Sequence, residues 1–303
     1  MRKKNNVKNT KFNLFSNWRQ VIILVFIALP ILGFTINKFG FNKGVDFSGG
    51  IIVEATCDKC NIETTAKQLE KKLKASVKYQ KIDNSYLLKT ITEKNYENTL
   101  SIFKKTLGNN KMTIVAMDFV SPQMTKTFMN DSIFACVFAF ICIGLYIILR
   151  FNWRFSISAI LALSFDIFMT ITFISITQVE ICLITLTAIL TIIGYCINDK
   201  IILLDKVNEN LFCTEKTVPE ILAKSSKSVL FRSIFTSLTT VIASASLLFF
   251  GNRSIYELGT VIIFGILIGT ITSLTVLPCL LSMFKIKHKT NLKIERSPMW
   301  YAS

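Results

Sequence analysis

Along the 303-residue chain, long apolar runs alternate with short Lys-rich or mixed stretches. A run of about 20 apolar residues, wound as helix, matches the hydrocarbon thickness of a bilayer. Six runs meet that length and are expected to span: residues 21–39, 132–149, 155–177, 181–204, 229–250 and 255–284. The first follows a basic leader (Arg2, Lys3, Lys4, Lys8, Lys11, Arg19) and has no A-x-A-like cleavage site after it. It therefore reads as an uncleaved anchor and not as a signal peptide.

Between the first and second runs the pattern changes. Residues 50–55 read as a strand, 62–75 as a helix, 77–82 and 85–91 as two strands turning at Asp83 and Asn84, 93–107 as a helix behind a Thr92 cap, and 112–119 as a strand. The order βαββαβ predicts a small ferredoxin-like α+β domain, an antiparallel sheet with both helices on one face. The expected fold is thus a polytopic α-helical membrane protein of six transmembrane helices carrying one external α+β domain. Its parts are a segment 1–20, a first span 21–39, the domain 40–130, a bundle 131–284 with an inner loop 206–228, and a tail 285–303.

Charge sets the orientation. The net charge is +16, from 35 Lys and Arg against 19 Asp and Glu. With the amino terminus inside, basic residues crowd the leader, Arg150 and Arg154, the segment from Lys206 to Lys227, and the tail. The short external turns hold only Arg253. The positive-inside rule then makes both termini cytoplasmic and the α+β domain periplasmic, in an inner-membrane protein exposed to lipid. The 15 Lys from Lys38 to Lys126 do not oppose this, because long translocated domains cross largely regardless of charge. No basic stripe interleaved with aromatics lies outside the spans, so nucleic acid is not an expected partner.

Enzymatic chemistry has little to stand on. The single His, His288, sits in the tail, and no acid, base and nucleophile set, metal-ligand cluster or cofactor motif is evident. Cys57-Asp58-Lys59-Cys60 falls where a strand gives way to a helix; it could form a local disulfide, act as a redox pair, or contribute two ligands to a metal. Cys136, Cys142, Cys182, Cys196 and Cys279 lie in spans and read as small apolar residues.

The informative residues are charges inside the membrane, where an ionised side chain costs about 2.5 to 3.5 kcal/mol even on a lenient insertion scale. Asp166 falls near the middle of the third run, on a stripe with Ser158, Ala162, Thr170 and Thr177. It can clasp neighbouring helices or carry protons. Asp199 and Arg232 fall at similar depth on antiparallel runs, and Arg232 shares a small, polar face with Thr236, Thr239 and Ala243. An Asp199 to Arg232 pair within the bundle is expected, as a proton-coupling device or as a structural ion pair. Lys200 lies about 100° round the helix from Asp199, a poor partner that is expected to snorkel inward. Gly265, Gly269 and Ser273 form a small-residue stripe suited to close helix packing.

Several segments resemble the SecF family: Gly44-Val45-Asp46-Phe47-Ser48-Gly49-Gly50, Phe151-Asn152-Trp153-Arg154-Phe155, residues 188–199 (AILTIIGYCIND, with Gly194 and Asn198), Asp205-Lys206-Val207-Asn208-Glu209-Asn210, and residues 232–240 (RSIFTSLTT). The resemblance implies half of an RND-type transporter bundle that pairs with SecD, works beside the Sec translocon channel and a YidC-type accessory, and uses the proton-motive force to pull preproteins across. It carries the proton-linked acid and base onto Asp199 and Arg232, with Asp166 as a third candidate. It also implies departures: Phe165 stands where a His is usual, Lys200 where a Thr is usual, and Lys206 where an Arg is common. Half of a small-molecule or lipid exporter, or a passive translocon scaffold, are the competing readings.

Overall fold

The computed structural model describes residues 33–56, 62–73, 75–82, 85–91, 96–110, 112–213, 217–251 and 253–283. Most of the first expected span, Cys57 and Cys60, the Asp83-Asn84 turn, the Thr92 cap and the tail 285–303 lie outside them. Residues 33–39 are helical (α1), and a short helix α2 (Val45–Ser48) leads into the domain.

The domain comprises β1 (Gly50–Thr56), α3 (Ile62–Leu73), β2 (Val77–Ile82), β3 (Ser85–Ile91), α4 (Tyr96–Asn109) and β4 (Thr113–Val120). The sheet order is β2-β3-β1-β4 with every neighbouring pair antiparallel. Alternation on β1 sends Ile51, Val53 and Ala55 inward, fully buried. They meet Leu88 of β3, Leu69 of α3, and Phe103 and Leu107 of α4 in one core. Burying a side chain the size of Leu or Phe is worth about 1.5 to 3 kcal/mol, so these positions hold the helices to the sheet.

The bundle comprises α5 (Pro122–Arg150), α6 (Trp153–Thr177), α7 (Leu183–Cys213), α8 (Val218–Phe250), α9 (Arg253–Leu274) and α10 (Val276–Met283). Among the described residues there are five helical stretches long and apolar enough to cross a bilayer, α9 and α10 together forming the last. Its break follows from Pro278, which has no N–H to bond the carbonyl of Leu274. Helix α5 starts where Ser121 Oγ accepts a bond from the Met124 amide at 3.2 Å, with Pro122 in the first turn. Helices α7 and α8 extend well into the region expected as an inner loop.

Two contacts fix α7 against α8: Tyr195 Oη donates to Ser237 Oγ at 3.3 Å, and Asn210 Nδ2 donates to Ser225 Oγ at 2.8 Å. Numbers rise on one helix as they fall on the other, so the pair is antiparallel. The stripe on α9 packs as expected. A Cβ at Gly265 would strike Ile192, and one at Gly269 would strike Cys196 Sγ, so only glycine admits α7 this closely.

Candidate functional site

Asp166 on α6 is fully buried, and the stripe predicted around it is too, apart from Thr177: Ser158, Ala162 and Thr170 all face inward. Its carboxylate accepts from Lys200 Nζ of α7 on one oxygen and from Thr272 Oγ1 of α9 on the other. Three helices are thus tied at one carboxylate. This corrects the expectation for Lys200, which does not snorkel to the inner surface: its side chain is wholly buried. The ammonium crosses from α7 to α6, a route that a wheel drawn on α7 alone does not reveal. A buried charge survives only when paired and hydrogen-bonded, and Asp166 meets both conditions.

Asp199, one residue earlier on α7, has the opposite surroundings. It is 1% exposed, and neither carboxylate oxygen has a hydrogen-bond partner among the described residues. The Thr270 hydroxyl faces it but is committed elsewhere, donating to the Ile266 carbonyl at 2.9 Å and lying 2.5 Å from Ser237 Oγ. The expected ion pair with Arg232 is not formed. Arg232 is exposed on the outside of α8 with Thr239 and Ala243, whereas the buried face of α8 is Val229, Ser233, Ser237 and Ser244. Both faces of α8 carry small, polar residues, so composition does not distinguish them; packing against α9 selects the serine face.

Residues 100–287 match the family described as protein export membrane protein SecD/SecF, C-terminal, and residues 34–59 match the SecD/SecF GG motif. The chain is 32% identical over 290 residues to the protein translocase subunit SecF of Rickettsia rickettsii, covering 92% of this chain and 94% of the relative. It is 32% identical over 283 residues to that of Rickettsia bellii, covering 90% and 93%. The chain belongs to the SecD/SecF family. Among solved structures it is similar to SecDF, a translocon-associated membrane protein from Thermus thermophilus, with a TM-score of 0.79 and 26% identity. That match covers 94% of this chain but only 40% of the longer one. A second structure, SecDF in a super-membrane-facing form, matches with a TM-score of 0.69.

Phe165 stands beside Asp166 on α6, and Lys200 brings a cation to the carboxylate from the next helix.

The GG motif of this SecD/SecF chain is a docking device. Gly44 N donates to the Ile181 carbonyl at 2.9 Å, and Ile181 N donates to the Asn42 carbonyl at 2.8 Å, a short parallel bridge to the loop before α7. Asp46 Oδ2 then accepts from the Leu183 amide at 3.0 Å, satisfying one of the free donors at the start of α7. Gly49 has φ 76°, and at Gly50, with φ 154°, a Cβ would collide with the Thr90 carbonyl. Sequence reasoning did not find the residue that completes this rim. Glu180 accepts from Lys78 at 2.9 Å and from Lys89 at 3.3 Å, binding β2 and β3 to the same loop. Burial works against its charge, but the two lysines outweigh it and hold the Glu180 carboxyl below its usual range.

Arg150, the last residue of α5, meets Asp205 of α7 at 3.3 Å, both about half exposed, and Asn210 also donates to the Lys206 carbonyl at 3.0 Å. Trp153 and Arg154 open α6 with the guanidinium 5.4 Å from the indole centroid. Gly194 and Asn198 lie on the exposed side of α7, with Thr187 and Thr191.

Proposed function

We propose that this chain is the SecF-type half of a membrane heterodimer with SecD, which draws on the proton-motive force to drive late steps of preprotein export beside the translocon channel and a YidC-type accessory. In this reading the chain sits in a bacterial inner membrane with six spans, residues 21–39 being the first. Both termini are cytoplasmic, and a ferredoxin-like domain is periplasmic. It makes and breaks no covalent bond.

The observation that carries the proposal is the unequal treatment of two buried carboxylates on adjacent helices. Asp166 is tied to Lys200 and Thr272, while Asp199 has no hydrogen-bond partner among the described residues. An ionised carboxylate without a partner is costly in an apolar bundle, so Asp199 has to bind a proton or recruit a cation as the bundle moves. Arg232 becomes the group that answers from the partner side. The outward face of α7 (Thr187, Thr191, Gly194, Asn198) is polar or small, a poor match for lipid and a good one for another bundle.

The test is Asp199→Asn in membranes holding the full complex. Export driven by the proton gradient should fall at least ten-fold, while copurification with a SecD-like partner is unchanged. Undiminished export would leave the chain a scaffold.

A further inference from the structure

Three lysines that lie apart in sequence converge on one cleft. Lys43 of the GG motif, Lys78 of β2 and Lys89 of β3 line it, together with buried Gly44 and Val45 and one acid, Glu180 of the α6–α7 loop. The space is about 260 Å³ and opens to solvent. Lys78 and Lys89 share Glu180 between them, and Lys78 also donates to Asn42 Oδ1 at 3.0 Å. The Lys43 side chain is exposed and has neither a hydrogen bond nor an ion pair among the described residues. Asp46 and Glu257 accept from the Leu183 and Glu180 amides and do not line the cleft. Three ammonium groups thus stand against one carboxylate, and the excess positive charge is relieved when an anion sits among them.

The position of the cleft selects the anion. The chain just before it is pinned to the end of a membrane-spanning helix: Ser175 Oγ of α6 donates to the Gly40 carbonyl at 2.7 Å, and Gln178 Nε2 donates to the Phe39 carbonyl at 3.2 Å. Phe39 and Phe41 are exposed there, 49% and 43%, and the Lys38 ammonium lies 5.8 Å from the Phe39 ring centroid. Exposed aromatic rings and lysines at the end of a span suit the headgroup layer of a bilayer. Ile91, 37% exposed, gives the cleft an apolar wall. A free phosphate would use the ammonium groups alone. A phospholipid uses the apolar surface as well, with its phosphate among the lysines and its glycerol and upper chains along Phe39, Phe41 and Ile91.

We infer that this cleft binds the phosphate of an anionic phospholipid headgroup, of the phosphatidylglycerol class, from the leaflet on the domain's side of the membrane, with Lys43 supplying the cation that closes on it. Lys78 and Lys89 are already tied to Glu180, so they hold β2 and β3 in place and add to the field, while Lys43 is engaged by no acid among the described residues. The GG motif, β2, β3 and the α6–α7 loop all contribute to the cleft. A headgroup seated there therefore braces the α+β domain against the bundle and makes that docking depend on lipid composition. The inference needs the spans to lie in a bilayer and is independent of the proton-linked reading of Asp199.

The test uses the full complex in detergent, stripped of lipid and titrated with short-chain phosphatidylglycerol, while amide hydrogen exchange is followed at residues 41–46, 76–79 and 89–91. Exchange there should slow about three-fold or more, and phosphatidylcholine, inorganic phosphate and a glutamate-rich peptide should leave it unchanged. Lys43→Ala should raise the titration midpoint about five-fold, the weight of one lysine at an anionic surface. Lys43→Arg should stay within about two-fold of the native chain. Because the Lys43 side chain holds nothing else in the fold, exchange without lipid should be alike in all three proteins. Equal protection by inorganic phosphate, by the peptide or by phosphatidylcholine would overturn the anionic lipid as occupant. An unshifted midpoint in Lys43→Ala, or no protection by any of the four, would overturn the site.

Discussion

The start and the middle of α7 treat charge in opposite ways. At the start the acids are answered: Asp46 accepts from the Leu183 amide, and Glu180 receives two lysines, all in reach of water. In the middle of the same helix, Lys200 is answered by Asp166 while Asp199 is left alone. A polar group at the surface can fall back on solvent, so an unpaired one there costs little and says little. In the bundle there is no such fallback, so a carboxylate left without a partner there is costly, and the proposed proton-linked role of Asp199 would draw on that cost.

The comparison breaks most sharply at Lys200. Lys200→Ala leaves Asp166 buried with only Thr272, and loss of one partner of a buried pair costs about 3 to 5 kcal/mol. We expect a fall in Tm and in membrane yield, measured by thermal unfolding of the detergent-solubilised complex. Asp46→Ala comes next. It removes the acceptor at the start of α7, worth about 1 kcal/mol, and should raise protease sensitivity of the 40–46 segment without affecting the bundle. The smallest effect belongs to Glu180→Gln, about 1 kcal/mol or less for a pair that water partly screens. Because the folded Glu180 carboxyl lies below its ordinary value of 4.5, its contribution is complete above that pH and is lost as pH falls through the lowered value. Domain docking, followed by a cross-link between Tyr79→Cys on β2 and a label on the α6–α7 loop, should therefore loosen in acid when Glu180 is kept and be flat with pH in the Glu180→Gln variant.

Much of the architecture was legible in the chain. The period-2 alternation at Ile51, Val53 and Ala55 and the helical spacing of Phe103 and Leu107 led to elements whose ends fall within a few residues of those observed. The five described spans follow from apolar length alone. The inward stripe on α6 was also readable, because Asp166 and Thr170 are polar exceptions in an otherwise apolar run. The partner of Asp166 was not readable. Lys200 sits 34 residues away, and its reach across to α6 depends on how α6 and α7 are rotated against each other.

Sequence by itself determined which segments are helix, strand and span, and which few charges lie at bilayer depth, because hydrophobic periodicity and the cost of burying charge act locally along the chain. Tertiary structure alone decided which face of α8 turns inward and which carboxylate wins Lys200. Arg232 and Ser233 are neighbours in sequence, yet one looks outward and the other into the core. The reason is geometric: a difference of about 100° around a helix costs nothing in local propensity, and only packing against α9, where Ser237 meets Thr270 and Gly259 sits against Ser244, selects between the two rotations.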